Sequence, residues 1–236
     1  MAKPTIIPPV EVAPGIHLLE RQEESGWGWN LVVVALPGGG TLVHSPSWLD
    51  EQTLERVAAL GTPRVLVAPN HFHFLTLPRF QARWPDALAV ASERATPRLS
   101  RKGIRNLRPL AEALPLLPAG SRFVEPAGTR TGEAWLVVPR EQGTTLLVGD
   151  AFFNLSRPTR GGLGFLLRAL KVVPGLRIST TYRLLGVSDL PACRASTIDL
   201  VTAVAPTEVC FSHGDVLRGP DCGGRLAAAV AARWPE

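Results

Sequence analysis

The chain has 236 residues, 45% of them apolar and 19% charged, the proportions of a globular protein long enough to bury a substantial core. The longest apolar runs, such as residues 31–36, fall far short of the roughly 20 residues a bilayer demands, and the N-terminus lacks a signal-peptide core, so no membrane span and no secretion are expected. The net charge is +5, but only three of the 25 basic residues are Lys, and the basic stretches 94–108 and 157–183 do not interleave aromatics as a single-strand channel does; nucleic acid is not the expected partner. Three cysteines, Cys193, Cys210 and Cys222, are odd in number and lack Cys-x-x-Cys spacing, which fits reduced thiols in a cytoplasmic chain.

Short strands separated by turns fill the first 70 residues. Gly15-Ile-His-Leu-Leu-Glu20 and residues 30–36 are strand-like, and Pro37-Gly-Gly-Gly40 turns the chain into Thr41-Leu-Val-His44. Asp50 is placed to cap a helix carrying Leu54, Val57, Ala58 and Leu60, which Gly61 stops. Residues 63–68 form a short buried strand of the parallel type. A helix over 77–84, a strand over 87–91 and a helical stretch over 93–102 follow. Three strands come next, at 121–125, 133–139 and 144–148. Residues 155–191 show the least pattern, with a helix expected at 164–172. A helix over 195–204, a strand over 208–211 and a helix over 222–234 close the chain. This order predicts two sheets between helical layers in a single domain over residues 1–236, with an Arg-rich excursion at about 155–190.

The five histidines carry the functional signal. His71 and His73 follow the strand over 65–68. Asp150 follows another strand, His213 a third, and His44 ends a fourth. Four strands that each end in a potential ligand suggest a site along one sheet edge. An extended backbone at His71-Phe-His73 aims both imidazoles to one side and Phe72 to the other. Trp27 and Trp29, in Gly26-Trp-Gly-Trp-Asn30, are candidates to close over an apolar substrate, and packing on the sandwich is an equal reading.

The order of these motifs resembles the metallo-β-lactamase superfamily. Thr41-Leu-Val-His44 stands where the family has a Thr-Leu-Ile-Asp-type strand, and Asn70-His-Phe-His-Phe-Leu75-Thr76 where it has His-x-His-x-Asp-His. Ala127-Gly-Thr129-Arg-Thr-Gly132, Gly149-Asp150 and Ser212-His213-Gly occupy the three later places. The resemblance runs from about residue 15 to the C-terminus and implies a four-layer αββα sandwich. It also implies a metal-dependent hydrolase acting on a small ester, lactone, thioester or amide. The chain departs from the family at the ligands: Leu75, Thr76 and Thr129 fall where the Asp-His pair and the third-motif His are expected. A shift of one residue would put Asn70 in the first ligand position.

The remaining donors are His71, His73, Asp150, His213 and His44. Three imidazoles and a carboxylate suffice for one divalent ion, zinc before iron, and not for two. The resemblance therefore implies at most a mononuclear site. Asp150 would orient the attacking water, and Asp215 would substitute for the missing proton acceptor. Arg157, Arg160 and Arg183 are candidate anion contacts beside the mouth. The alternative is a metal-free binding module that keeps the fold without catalysis.

Overall fold

Runs of β-branched and apolar residues build the first sheet. The computed structural model describes residues 5–25, 27–47, 50–169, 173–178 and 180–234. Strands β1 (Thr5–Ile6), β2 (Val10–Ala13), β3 (Ile16–Gln22), β4 (Gly28–Ala35) and β5 (Thr41–His44) pair antiparallel. The β4–β5 turn closes as the glycines suggest: Leu36 N donates to Gly40 O at 3.0 Å. Gly40 sits at φ +76°, where a Cβ would come 2.6 Å from Thr62 O, so no other residue fits.

Helix α1 (Glu51–Leu60) carries the chain across to β6 (Pro63–Ala68), which runs parallel to β5. Asp50 caps α1 by accepting from Thr53 N at 2.8 Å. Helix α2 (Leu77–Arg83) leads to β7 (Leu88–Ala91), and α3 (Thr96–Arg101) leads to β8 (Arg108–Pro109), both added in parallel. The resulting order is β1-β3-β4-β5-β6-β7-β8, with β2 beside β3.

After a 3-10 helix over Leu110–Leu116 come β9 (Arg122–Val124), β10 (Trp135–Arg140) and β11 (Gly143–Val148). Strand β12 (Phe152–Leu155), helix α4 (Gly161–Ala169) and β13 (Gly175–Ile178) form the excursion, in which β12 and β13 pair as a separate two-stranded sheet. A π-helical turn over Tyr182–Gly186 leads into α5 (Leu190–Val204), β14 (Glu208–Phe211), β15 (Leu217–Arg218) and α6 (Cys222–Arg233). The second sheet has the order β15-β14-β11-β10-β9, with β14 parallel to β11.

Strand periodicity explains the layers. On β4, Val32 and Val34 point into the cluster between the sheets, while Leu31 and Val33 point to the cluster under α1, α2 and α3. On β10, Leu136 and Val138 face inward, whereas Trp135 and Val137 face the cluster beneath α5 and α6. Strands apolar on both faces need a cover on each side, which produces the order helices, sheet, sheet, helices. Each fully buried Leu or Val contributes roughly 1.5–3 kcal/mol to that arrangement.

Three expectations change. Helix α5 begins at Leu190 and not near residue 195, because Asp189 accepts from Ala192 N at 3.0 Å and Pro191 lies in the first turn, where proline is tolerated. Helix α4 begins at Gly161, three residues early, and the last three residues of the expected helix, 170–172, lie outside the described residues. Strands β12 and β13 were not foreseen; Asn154 bridges to Gly214, so β12 is held by the loop after β14.

Candidate active site

The site lies beyond the carboxyl ends of four strands. Ser45 follows β5, Asn70 to His73 follow β6, Asp150 follows β11, and Ser212 and His213 follow β14. Parallel pairing of β5 with β6 and of β11 with β14 brings each pair of ends to one edge of its sheet.

Asp150 is the hub. Its Oδ1 accepts from His73 Nε2 at 3.1 Å and lies 3.4 Å from His213 Nε2. Its Oδ2 accepts from Asn70 Nδ2 at 3.0 Å. The same Asn70 nitrogen donates to Glu133 Oε2 at 2.7 Å, while Phe72 N donates to Asn70 Oδ1 at 2.8 Å and fixes which end of the amide is which. Glu133 Oε1 accepts from Trp135 Nε1 and from Ala151 N, both at 3.2 Å. A Cβ on Gly149 would sit 2.7 Å from Glu133 Oε1, so this network requires glycine beside Asp150.

Both imidazoles are held from behind. His73 Nδ1 is 2.7 Å from Ser45 Oγ, and His213 Nδ1 donates to Gly28 O at 2.8 Å. A carbonyl only accepts, so His213 Nδ1 carries a proton, and the opposite nitrogen, Nε2, faces Asp150 Oδ1.

Electrostatics separates the groups. Burial alone would raise the Asp150 pKa, but the charge of His73 and the hydrogen bonds from His213 and His73 hold it well below the usual carboxylate range. Burial pulls His73 down, yet the charge and hydrogen bond of Asp150, with the charge of Glu133, raise it on balance. Burial first, then the nearby Asp150 charge, pushes Glu133 up to about 7. His44 is lowered to about 3 by burial and by His73, and His71 to about 4, by burial first and then by Arg98.

The His73–Asp150–His213 floor opens into a cavity of about 320 Å³ walled by Trp29, Phe72, Phe74 and Leu75. Its lining holds no Lys or Arg among the described residues.

His73, Asp150 and His213 are thus brought together, and the other proposed ligands are not in the cavity lining. His44 and His71 are buried, each with an Nε2 that has no hydrogen-bond partner among the described residues. The expected extended His71-Phe-His73 segment is a turn, so the alternation argument fails, and Phe72 lines the cavity where it was expected to point away. Asp215 is exposed and does not line this cavity, which corrects its expected role as proton acceptor; it borders a second groove with Arg157 and Arg160. That groove also contains Glu20, Glu23 and Glu24, so the arginines share it with carboxylates. Arg183 is exposed on the π-helical turn and lines neither cavity. Trp29 forms a wall, and Trp27 lies tilted over the His213 ring with centroids 4.7 Å apart. Ser45 and Glu133 were not singled out as functional from sequence, and Asn70 was named only as a ligand under a one-residue shift.

The positions of the missing family ligands have other duties. Leu75 is exposed at the cavity mouth, Thr76 donates its hydroxyl to Pro46 O, and the Thr129 carbonyl accepts from Arg94 Nη1 at 2.7 Å. Among the described residues, no three His, Cys, Asp or Glu side chains gather as a metal site. His73, Asp150 and His213 are three donors, but both imidazole Nε2 atoms lie against the same carboxylate oxygen, at 3.1 and 3.4 Å, and do not surround a point an ion could fill. The assembled residues do not fit the expected ion.

Neither a protein-family model nor a curated protein matches the sequence. Solved structures do match. A metallo-β-lactamase from Pontibacter korlensis superposes with a TM-score of 0.64 at 11% identity, covering 97% of this chain and 99% of that one. This is the metallo-β-lactamase fold. The metallo-β-lactamase of Erythrobacter litoralis gives 0.63 at 17% identity over 97% of this chain and 100% of that one. Rubredoxin oxygen:oxidoreductase from Desulfovibrio gigas gives 0.61 at 12% identity, with 95% of this chain covering 61% of that one. The three cysteines are buried free thiols, and burial pushes Cys210 up to about 12, which removes it as a nucleophile.

Proposed function

We propose that this metallo-β-lactamase-fold chain is a hydrolase for a small, uncharged ester, lactone, thioester or amide. Aromatic and aliphatic walls without Lys or Arg suit an apolar substituent better than an anion. Asp150 stays ionised on the cavity floor and orients a water, and the His213 Nε2 lone pair accepts that water's proton. As the water oxygen adds to the carbonyl carbon, the resulting imidazolium, paired with Asp150 and held in place by Gly28 O, gives its proton to the departing alcohol, thiol or amine as the acyl bond breaks. His73 and Asn70 hold the two carboxylate oxygens throughout. The observation that carries the reading is the convergence of His73, Asp150 and His213 on one cavity floor.

The test is a panel of neutral p-nitrophenyl esters and thioesters, assayed with wild type and Asp150→Asn, alongside elemental analysis of dialysed protein. Turnover that Asp150→Asn abolishes, at well below one metal equivalent, supports the reading. One bound equivalent of zinc or iron returns the chemistry to a mononuclear site. Ligand binding in the cavity without turnover of any probe favours the non-catalytic binding module.

A further inference from the structure

Three non-glycine residues among those described have positive φ: Ser45 at +56°, Asn106 at +54° and Ala205 at +44°. Ala205 ends α5 as a left-handed cap, and Asn106 is a residue type that tolerates this region. Ser45 has neither excuse. It is buried, directly follows β5, and its backbone N donates to Val67 O at 3.1 Å. Backbone strain at a buried strand end persists only where surrounding contacts hold it.

Those contacts lead to the site. Ser45 Oγ is 2.7 Å from His73 Nδ1, and Ser212 Oγ donates to Ser45 Oγ from 3.4 Å. At the other end of the ring, Nε2 faces Asp150 Oδ1, an acceptor only, so Nε2 carries a proton. In the neutral ring Nδ1 must then accept a hydrogen bond, and in the charged ring it must donate one. A hydroxyl is the one small group that serves both states by rotating.

We infer that Ser45 is a positioning residue, whose hydroxyl locks the His73 ring with its Nε2–H on Asp150. It acts through His73 and not on substrate, since its side chain is buried and outside the cavity lining. The inference concerns the site proposed above, and its readout does not depend on turnover.

The experiment is ¹⁵N–¹H imidazole spectroscopy of His73 in the full chain, in wild type, Ser45→Ala and Ser45→Gly. Wild type should show protonated Nε2 with a hydrogen-bonded Nδ1. Both variants should lose the Nδ1 hydrogen-bond shift and show a second tautomer. Glycine accepts φ +56° without strain, so Ser45→Gly keeps the test decisive where Ser45→Ala folds poorly. Should an ester be turned over, kcat falls about 10- to 100-fold in both variants with KM unchanged, as for other losses of acid–base positioning. A wild-type spectrum with the proton on Nδ1 alone overturns the inference. So does a tautomer unchanged in both variants, whatever their stability.

Discussion

Two pairs of histidines at the same strand ends have opposite environments. His73 and His213 each face Asp150 with Nε2 and are held from behind by Ser45 and by the Gly28 carbonyl. His44 and His71 are buried with Nε2 atoms that have no partner among the described residues, and both are driven toward the neutral form. The residue type and its place after a strand are shared. What differs is direct contact with Asp150 Oδ1, which ties one pair into the site and leaves the other in the core.

Removing the hub breaks this contrast most severely. Asp150→Ala leaves two imidazoles without their shared acceptor, and any hydrolysis should fall by at least about 100-fold in kcat/KM. Steady-state kinetics on the neutral ester panel checks it. Gly149→Ala comes next: its methyl would lie 2.7 Å from Glu133 Oε1 and 3.1 Å from Asn70 Nδ2. A loss of about 1–3 kcal/mol is expected by urea unfolding, with the Asn70 bridge disturbed.

The silent pair should reveal itself through pH. A histidine whose folded pKa is depressed from 6.5 to about 3 contributes stability that is full above pH 6.5 and lost as pH falls toward 3. For His44 alone the slope approaches about 1.4 kcal/mol per pH unit within that window. His44→Leu should flatten the acid limb of the unfolding profile, and an unchanged slope would falsify the assignment. Glu133 acts with the opposite sign. Its raised folded pKa makes its contribution decline as pH rises from about 4.5 to about 7, so the two limbs overlap and the variant is needed to separate them. The smallest effect is expected from Arg157→Ala with Arg160→Ala: both border the second groove, and isothermal titration of a neutral ester analogue should give an affinity within about twofold of wild type.

The fold was legible wherever one local rule was sufficient. Strands Thr41–His44, Pro63–Ala68 and Glu208–Phe211 and the Asp50 cap follow from β-branched runs and a capping side chain. Strand β12 was missed because its partner is β13, some twenty residues away across an excursion without periodicity. In the site, Asp150 and His213 were visible as polar residues immediately after apolar strands. Glu133 carried no such mark. It precedes β10 like any turn residue, and only the approach of Asn70 across 63 positions makes it part of the network.

The amino-acid sequence by itself determined the sandwich and the edge on which chemistry would lie, because continuous β-branched runs, the helices between them and strand-end polar residues are local signals. Tertiary structure alone decided which histidines work there. Residues 71–74 fold as a turn, and this turn lines the cavity with His73 and leaves His71 out of its lining. Asn70 then holds the Asp150 oxygen that the two imidazoles leave free. Long-range packing set those two outcomes, since a hydrogen bond between residues 80 positions apart exists only once the two sheets have closed on each other.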